Sequence, residues 1–160
     1  MTQRVARRLA AGALFVAMAV GSAVGFAADE PANIIKYRKA IMHANSGHLS
    51  ALAAMAKNEV SWTDTAELHA RAINEMSQHL DRLFPEGTGK GDTEEESRAL
   101  QAIWENPDEF QQQIETLQEE SAKMIEVAQT DDRAAFAQQV GQLGKQGCGG
   151  CHEDFREEED

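Results

Sequence analysis

Cys148, Cys151 and His152 are the residues of this 160-residue chain best equipped for chemistry, and they stand together as Cys148-Gly149-Gly150-Cys151-His152. The form is C-x-x-C-H, that of a c-type haem attachment site. On a helix the three fall at relative positions 0, 3 and 4, so both sulfurs and the imidazole share about 100° of arc. Each thiol can then add across one haem vinyl group while the adjacent imidazole reaches iron from the same side. Covalent attachment keeps the cofactor in a small domain exposed to an extracytoplasmic space. Three other chemistries compete. A disulfide suits an oxidising compartment, but here it would cross-link almost nothing. A thioredoxin-like redox motif needs a strand before it and a helix after it, whereas this motif ends an all-helical pattern. A zinc site needs a fourth ligand and usually a second cysteine pair, and the chain has two cysteines in all.

The elements that must position these residues are helical. Apolar residues recur at three and four, with no sustained alternation at two, and all three prolines fall at helix boundaries. A first helix starts near Pro31 and carries Ile34, Ile35, Ile41, Met42, Leu49, Leu52 and Ala56. A second is expected from about Asp64, with Glu67 three residues on in the capping pattern, then Leu68, Ala72, Met76, Leu80 and Leu83 before Phe84-Pro85. Residues 86–92 form a glycine-rich loop, and Thr93 with Glu96 predicts a cap for a short piece holding Leu100, Ile103 and Trp104. Asn106-Pro107-Asp108-Glu109 is a strong start signal for a third long helix with Phe110, Ile114, Leu117, Met124 and Ala128. Thr130-Asp131-Asp132 separates it from the last helix, which presents Phe136, Val140, Leu143, Cys148, Cys151 and Phe155. Short connections make antiparallel neighbours, so the fold class is all-α, an antiparallel four-helix bundle. Gly141, Gly144, Gly147 and Gly150 recur every third residue of that last helix, each costing about 1 kcal/mol against alanine. Two readings follow: close helix–helix packing or a frayed C-terminus on one side, and on the other a flat porphyrin lying against the backbone.

The ends of the chain bound its setting. Arg4, Arg7 and Arg8 precede an apolar run from Leu9 to Phe26, closed by small residues and then Asp29-Glu30. Residues 1–27 read as a secretory signal peptide, with a retained membrane anchor as the alternative. Residues 28–160 are then the haem-binding domain, without stable membrane insertion. Loss of the three arginines takes the net charge from −12 to −15, which argues against nucleic acid and anionic membranes and for partners with basic patches.

The residues Lys36-Tyr37-Arg38, Leu83-Phe84-Pro85-Glu86-Gly87, Ala102-Ile103-Trp104 with Phe110, and Cys148 to Arg156 carry a resemblance. Over Ala32 to Arg156 the chain resembles the class II c-type cytochromes, cytochrome c prime and its low-spin relatives of the c-556 type. The resemblance implies one covalent haem c on the last helix of a four-helix bundle, and the double glycine between the cysteines departs from the bulkier pairs usual there. It also implies that the residue four after the first-helix arginine covers the distal haem face. Arg38 makes that residue Met42, so the metal ligands expected are His152 and Met42. A methionine on an apolar stripe is otherwise ordinary core, as Met55, Met76 and Met124 are read. His43, His48, His69 and His79 are weaker ligand candidates. Trp62 and Trp104 are expected near the haem or the bundle end. Arg38 and Arg156 are candidates to pair with haem propionates, against a solvated surface role.

A thioether opposite histidine raises the reduction potential of haem iron. The function expected is a periplasmic, low-spin His/Met electron carrier with protein redox partners. The alternatives are a five-coordinate cytochrome c prime that binds NO or CO, and a helical binding module without haem. No acid, base or nucleophile constellation appears, so no enzymatic activity is expected. Some relatives pair through their first two helices, which makes a homodimer one of the states the resemblance allows.

Overall fold

The computed structural model describes residues 29–158. The expected signal peptide, residues 1–27, lies outside the described residues. The bundle is made by α1 (Pro31–Ala56), α2 (Ala66–Ser77), α4 (Pro107–Ala128) and a last, composite helix. That helix runs as α5 (Arg133–Gln142), a π-helical stretch (Leu143–Gly149) and α6 (Gly150–Phe155); a short α3 (Ala102–Glu105) precedes α4. Among the described residues no strand forms and no helix is long and apolar enough to cross a membrane.

Pro31 opens α1 with its fixed φ and no orphaned N–H. Twenty-six residues carry α1 about 39 Å, far enough to line the whole bundle. It stops at Lys57, where Asn58 turns the chain at φ 60°. Arg133 ties that turn to the start of α5, donating from Nη2 to Met55 O at 2.8 Å and Asn58 Oδ1 at 2.5 Å. Asp132 caps α5 by accepting from the Ala134 and Ala135 amides, both at 3.0 Å. Leu52, Ile73, Met124 and Leu143, one from each long element, are fully buried at the bundle centre.

Several local expectations give way to tertiary contacts. The second helix begins at Ala66 without a side-chain cap, so Asp64 and Glu67 do not form the reciprocal pattern. Its buried face is Ala66, Ala70, Ile73 and Ser77, while Leu68 is 60% exposed. Small alanines let α2 lie close against its neighbours, and Asn74 then reaches across to Gln118 O (3.0 Å) and Ser121 Oγ (2.9 Å) on α4. The helix also ends early, at Ser77, followed by a single 3₁₀ turn over Asp81–Leu83. Thr93 caps no helix; its Oγ1 accepts from the Glu95 amide at 3.1 Å in a local turn.

The segment after Thr93 stays extended because its backbone pairs elsewhere. Leu100 N donates to Phe155 O at 3.0 Å, Glu157 N to Arg98 O at 2.9 Å and Lys90 N to Ala99 O at 2.8 Å, with Ala99 and Arg156 in an antiparallel bridge. Lys90 and Glu157 add an ion pair. This strap fastens the chain beyond the cysteine motif to the loop before α3.

The glycines of the last helix divide. A Cβ at Gly147 would lie 3.1 Å from Leu117 Cδ1, and one at Gly150 would lie 2.8 Å from Gln113 Oε1. Close approach to Leu117 of α4 accounts for Gly147, whereas Gly150 meets only the flexible end of the Gln113 side chain. Gly141 faces open space and Gly144 makes only ordinary contact with Leu49.

Candidate functional site

Between α1 and the end of the composite helix lies a cavity of about 920 Å³, at the upper end of the range for small-molecule and cofactor sites. One face of α1 forms a wall, with Arg38, Met42, Asn45 and Leu49 at spacings of three and four. The facing wall is Gly147, Cys148, Cys151 and His152. Phe84, Phe110 and Phe155 close a third side as an aromatic chain, edge to face at 5.0 and 5.2 Å. A second hollow, on the outer face of α2, is edged by Asp64, Glu67 and Arg71, of which Arg71 and Glu67 already pair.

Both cysteines are free thiols, half-buried. Burial pushes the Cys148 thiol up. The Cys151 thiol is pushed up to about 11, chiefly by burial, with Cys148 and Asp154 adding to it and Arg156 opposing. His152 is held below the usual histidine value by burial first, then by the positive charges of Arg156 and Arg98. At neutral pH the motif thus presents two protonated thiols and a neutral imidazole with a lone pair to give.

The sequence candidates separate on inspection. Met42 lines the cavity with His152, half-buried on the α1 wall. Arg38 also borders it but is only 5% exposed, and its terminal nitrogens are engaged by protein. Nη1 donates to Leu83 O (3.0 Å) and Thr88 Oγ1 (2.9 Å); Nη2 donates to Thr88 O (2.6 Å) and Ser97 Oγ (2.9 Å). The guanidinium also lies over the Phe84 ring, 4.6 Å from its centre. Arg156 borders the cavity with its Nε buried and unpartnered.

The remaining histidines go elsewhere. His48 and His69 join α1 to α2 through an Nδ1–Nδ1 hydrogen bond of 2.8 Å, and His79 pairs with Arg82. His43 borders the cavity from an exposed position. Met55 and Met124 are core, as expected, and Met76 is half-buried. Trp104 donates from Nε1 to Phe84 O at 3.0 Å, whereas Trp62 is 73% exposed between α1 and α2. Sequence reasoning missed Arg98 and Asn45. Arg98 sits in an aperiodic stretch and reaches the cavity only through the strap. Asn45 follows Met42 by one helical turn, a spacing that offered a signal.

Haem fits what is present. Two thiols and an imidazole on one wall of a largely aliphatic and aromatic cavity match the vinyl groups, iron and flat face of a porphyrin. Arg98 and Arg156 stand at its edge as counter-charges for carboxylates, and the unpartnered Arg156 Nε calls for an acceptor.

Comparison with known proteins points the same way. Residues 33–156 match the family described as Cytochrome C'. Cytochrome c-554 of Cereibacter sphaeroides is 37% identical over 130 residues, covering 79% of this chain and 94% of the relative. Cytochrome c' of Pararhodospirillum photometricum is 32% identical over 127 residues, covering 79% and 98%. A solved structure of cytochrome c' from Rhodobacter spheriodes aligns with a TM-score of 0.74 at 27% identity, covering 82% of this chain and all of that one.

Proposed function

Because the chain belongs to the cytochrome c' family and is a haem c protein, we propose that it is an exported, periplasmic, low-spin electron carrier in which His152 and Met42 would ligate the iron. Haem supplies an iron that exchanges one electron between its ferric and ferrous states. Cys148 and Cys151 would hold the porphyrin edge by thioether bonds, and His152 would offer its neutral imidazole to the iron. Arg98 and Arg156, which line the cavity, would bind the propionate carboxylates by charge-assisted hydrogen bonds. Arg38, occupied by Leu83, Thr88 and Ser97, holds the loop that bounds the cavity. Phe84, Phe110 and Phe155 exclude water.

The observation that carries this reading is that Met42 and His152 stand on two walls of one cavity. A thioether there favours ferrous iron and a raised potential. The acidic surface steers the carrier to basic patches on its redox partners, and no catalytic constellation is assigned. A homodimer is compatible with the exposed Tyr37, Trp62 and Leu68 on and between α1 and α2.

A second reading draws on the comparisons, where the family and several relatives carry the name cytochrome c'. In it the Met42 sulfur stays off the iron, and the distal side takes NO or CO. The optical spectrum of the oxidised holoprotein separates the two. Low-spin bands with a methionine–iron charge-transfer band, lost in Met42→Ala, support electron transfer. A high-spin spectrum at neutral pH, unchanged by Met42→Ala, refutes it in favour of gas binding.

A further inference from the structure

Away from the cavity, two histidines meet across the bundle that the haem reading does not use. His48 of α1 and His69 of α2 bring their Nδ1 atoms to 2.8 Å, with ring centres 5.1 Å apart. Both residues are half-buried, so the pair is open to solvent on one side. Leu52 and Ile73, one helical turn further along each helix, are fully buried. They fix the two backbones, so rigid elements present the pair.

A hydrogen bond between two Nδ1 atoms needs one N–H and one lone pair, so at least one ring is neutral. Burial first, and then the neighbouring His48, hold His69 below the usual histidine value. Neutral imidazole is the commonest metal ligand in proteins. Two nitrogens each about 2.0–2.1 Å from one ion lie about 2.9 Å apart at right angles and about 3.3 Å apart at the tetrahedral angle. The separation of 2.8 Å matches the right angle, the cis arrangement of tetragonal Cu(II) or Ni(II). The rings stand nearly head-on, so each turns about its Cβ–Cγ bond to aim at an ion beside the line between them. Among the described residues no third histidine, cysteine or carboxylate joins the pair.

We propose that His48 and His69 form a binding site for a divalent late transition-metal ion, Cu(II) foremost, which clamps α1 to α2 through both Nδ1 atoms. Water fills the remaining positions. As the ion binds, the donor ring moves its proton from Nδ1 to Nε2, so two neutral rings release no proton and no electron is transferred. The net charge of −12 favours the approach of a cation.

The test titrates Cu(II) into ferric holoprotein, in which haem occupies the cysteine thiols, and reads the copper by electron paramagnetic resonance. One ion per chain with two nitrogen ligands is expected. His48→Gln or His69→Gln should each weaken binding by about a hundredfold, because two fixed imidazoles act as a linked pair. His79→Gln, on an exposed residue outside the pair, should leave the affinity unchanged. Cu(II) should also raise the urea midpoint of the parent and not that of His48→Gln or His69→Gln. A loss under about tenfold in either variant, an equal loss in His79→Gln, or one ion shared between two chains overturns the proposal. The parent decides even where a variant fails to fold, since a one-nitrogen copper signal there also overturns it.

Discussion

Replacing Arg38 by methionine tests whether this arginine serves the protein or the cofactor. The substitution keeps the length of the side chain and removes four hydrogen bonds, to Leu83 O, Thr88 Oγ1, Thr88 O and Ser97 Oγ. Each such bond from a charged donor contributes about 1.5–3 kcal/mol, but the bonds share acceptors that keep other partners. Thr88 Oγ1 still donates to Pro85 O, and Ser97 Oγ still donates to Thr88 O. Burial of the cation is itself costly, as the lowered pKa of Arg38 reflects, and that cost disappears with the charge. The net loss should be about 2–4 kcal/mol. With a urea m-value of roughly 2 kcal/mol/M, the unfolding midpoint of the holoprotein falls by about 1–2 M. Arg38→Lys should recover only part of this, because one ammonium cannot reproduce the fork. The reduction potential should move less than it does in Arg98→Gln. A loss under about 1 kcal/mol at unchanged m, or a potential shift larger than that of Arg98→Gln, would refute the reasoning and return Arg38 to the propionates.

Other outcomes follow from the same structure. Gly141→Ala, facing open space, should stabilise by about 0.5–1 kcal/mol. Gly147→Ala should destabilise by roughly 1–2 kcal/mol in the same urea assay, since its Cβ would meet Leu117 and Leu143. Arg156→Gln should lower the reduction potential measured by voltammetry, because a nearby positive charge favours the ferrous state. His69 has its folded pKa lowered, by burial first and then by His48, so the unfolded chain binds its proton more tightly. Its contribution is complete above the unfolded value of about 6.5 and is lost as pH falls through that value toward the lower folded one. His69→Gln should therefore flatten the decline of the urea midpoint between about pH 7 and pH 5.

The long helices and the cysteine motif were legible in the sequence because each rests on local spacing. The α1 stripe, the Asn106-Pro107 start and C-x-x-C-H all depend on residues within a few turns of one another. What the sequence could not show depends on distant partners. The buried face of α2 includes Ala66, Ala70 and Ser77, and the polar contacts of Asn74 and Ser77 with Gln118 and Ser121 of α4 leave no trace in hydrophobic periodicity. Thr93 and Glu96 had the form of a cap, but the backbone beyond them pairs with residues 155–157 instead. Arg38 carried the right charge for a propionate, and only the fold reveals Thr88 and Ser97 around it. Arg98 enters the site by the same long-range strap.

The π-helical stretch from Leu143 to Gly149 has a consequence for how the site tolerates insertions and deletions. A π turn stores a surplus residue within an otherwise regular helix, so the two ends of the composite helix are indexed separately. Phe136 and Val140 set the angular phase of α5 through the core, whereas Cys151, His152 and Phe155 set that of α6 through the cavity. Deleting one residue between them would remove the surplus, relax the backbone to a plain α-helix and leave the cysteine motif in its present phase. Inserting one residue there, with nothing further to absorb it, would instead turn the motif by about 100°, carrying both thiols and the imidazole out of the cavity. One change of chain length would then be harmless and its opposite would abolish covalent attachment, leaving a colourless protein.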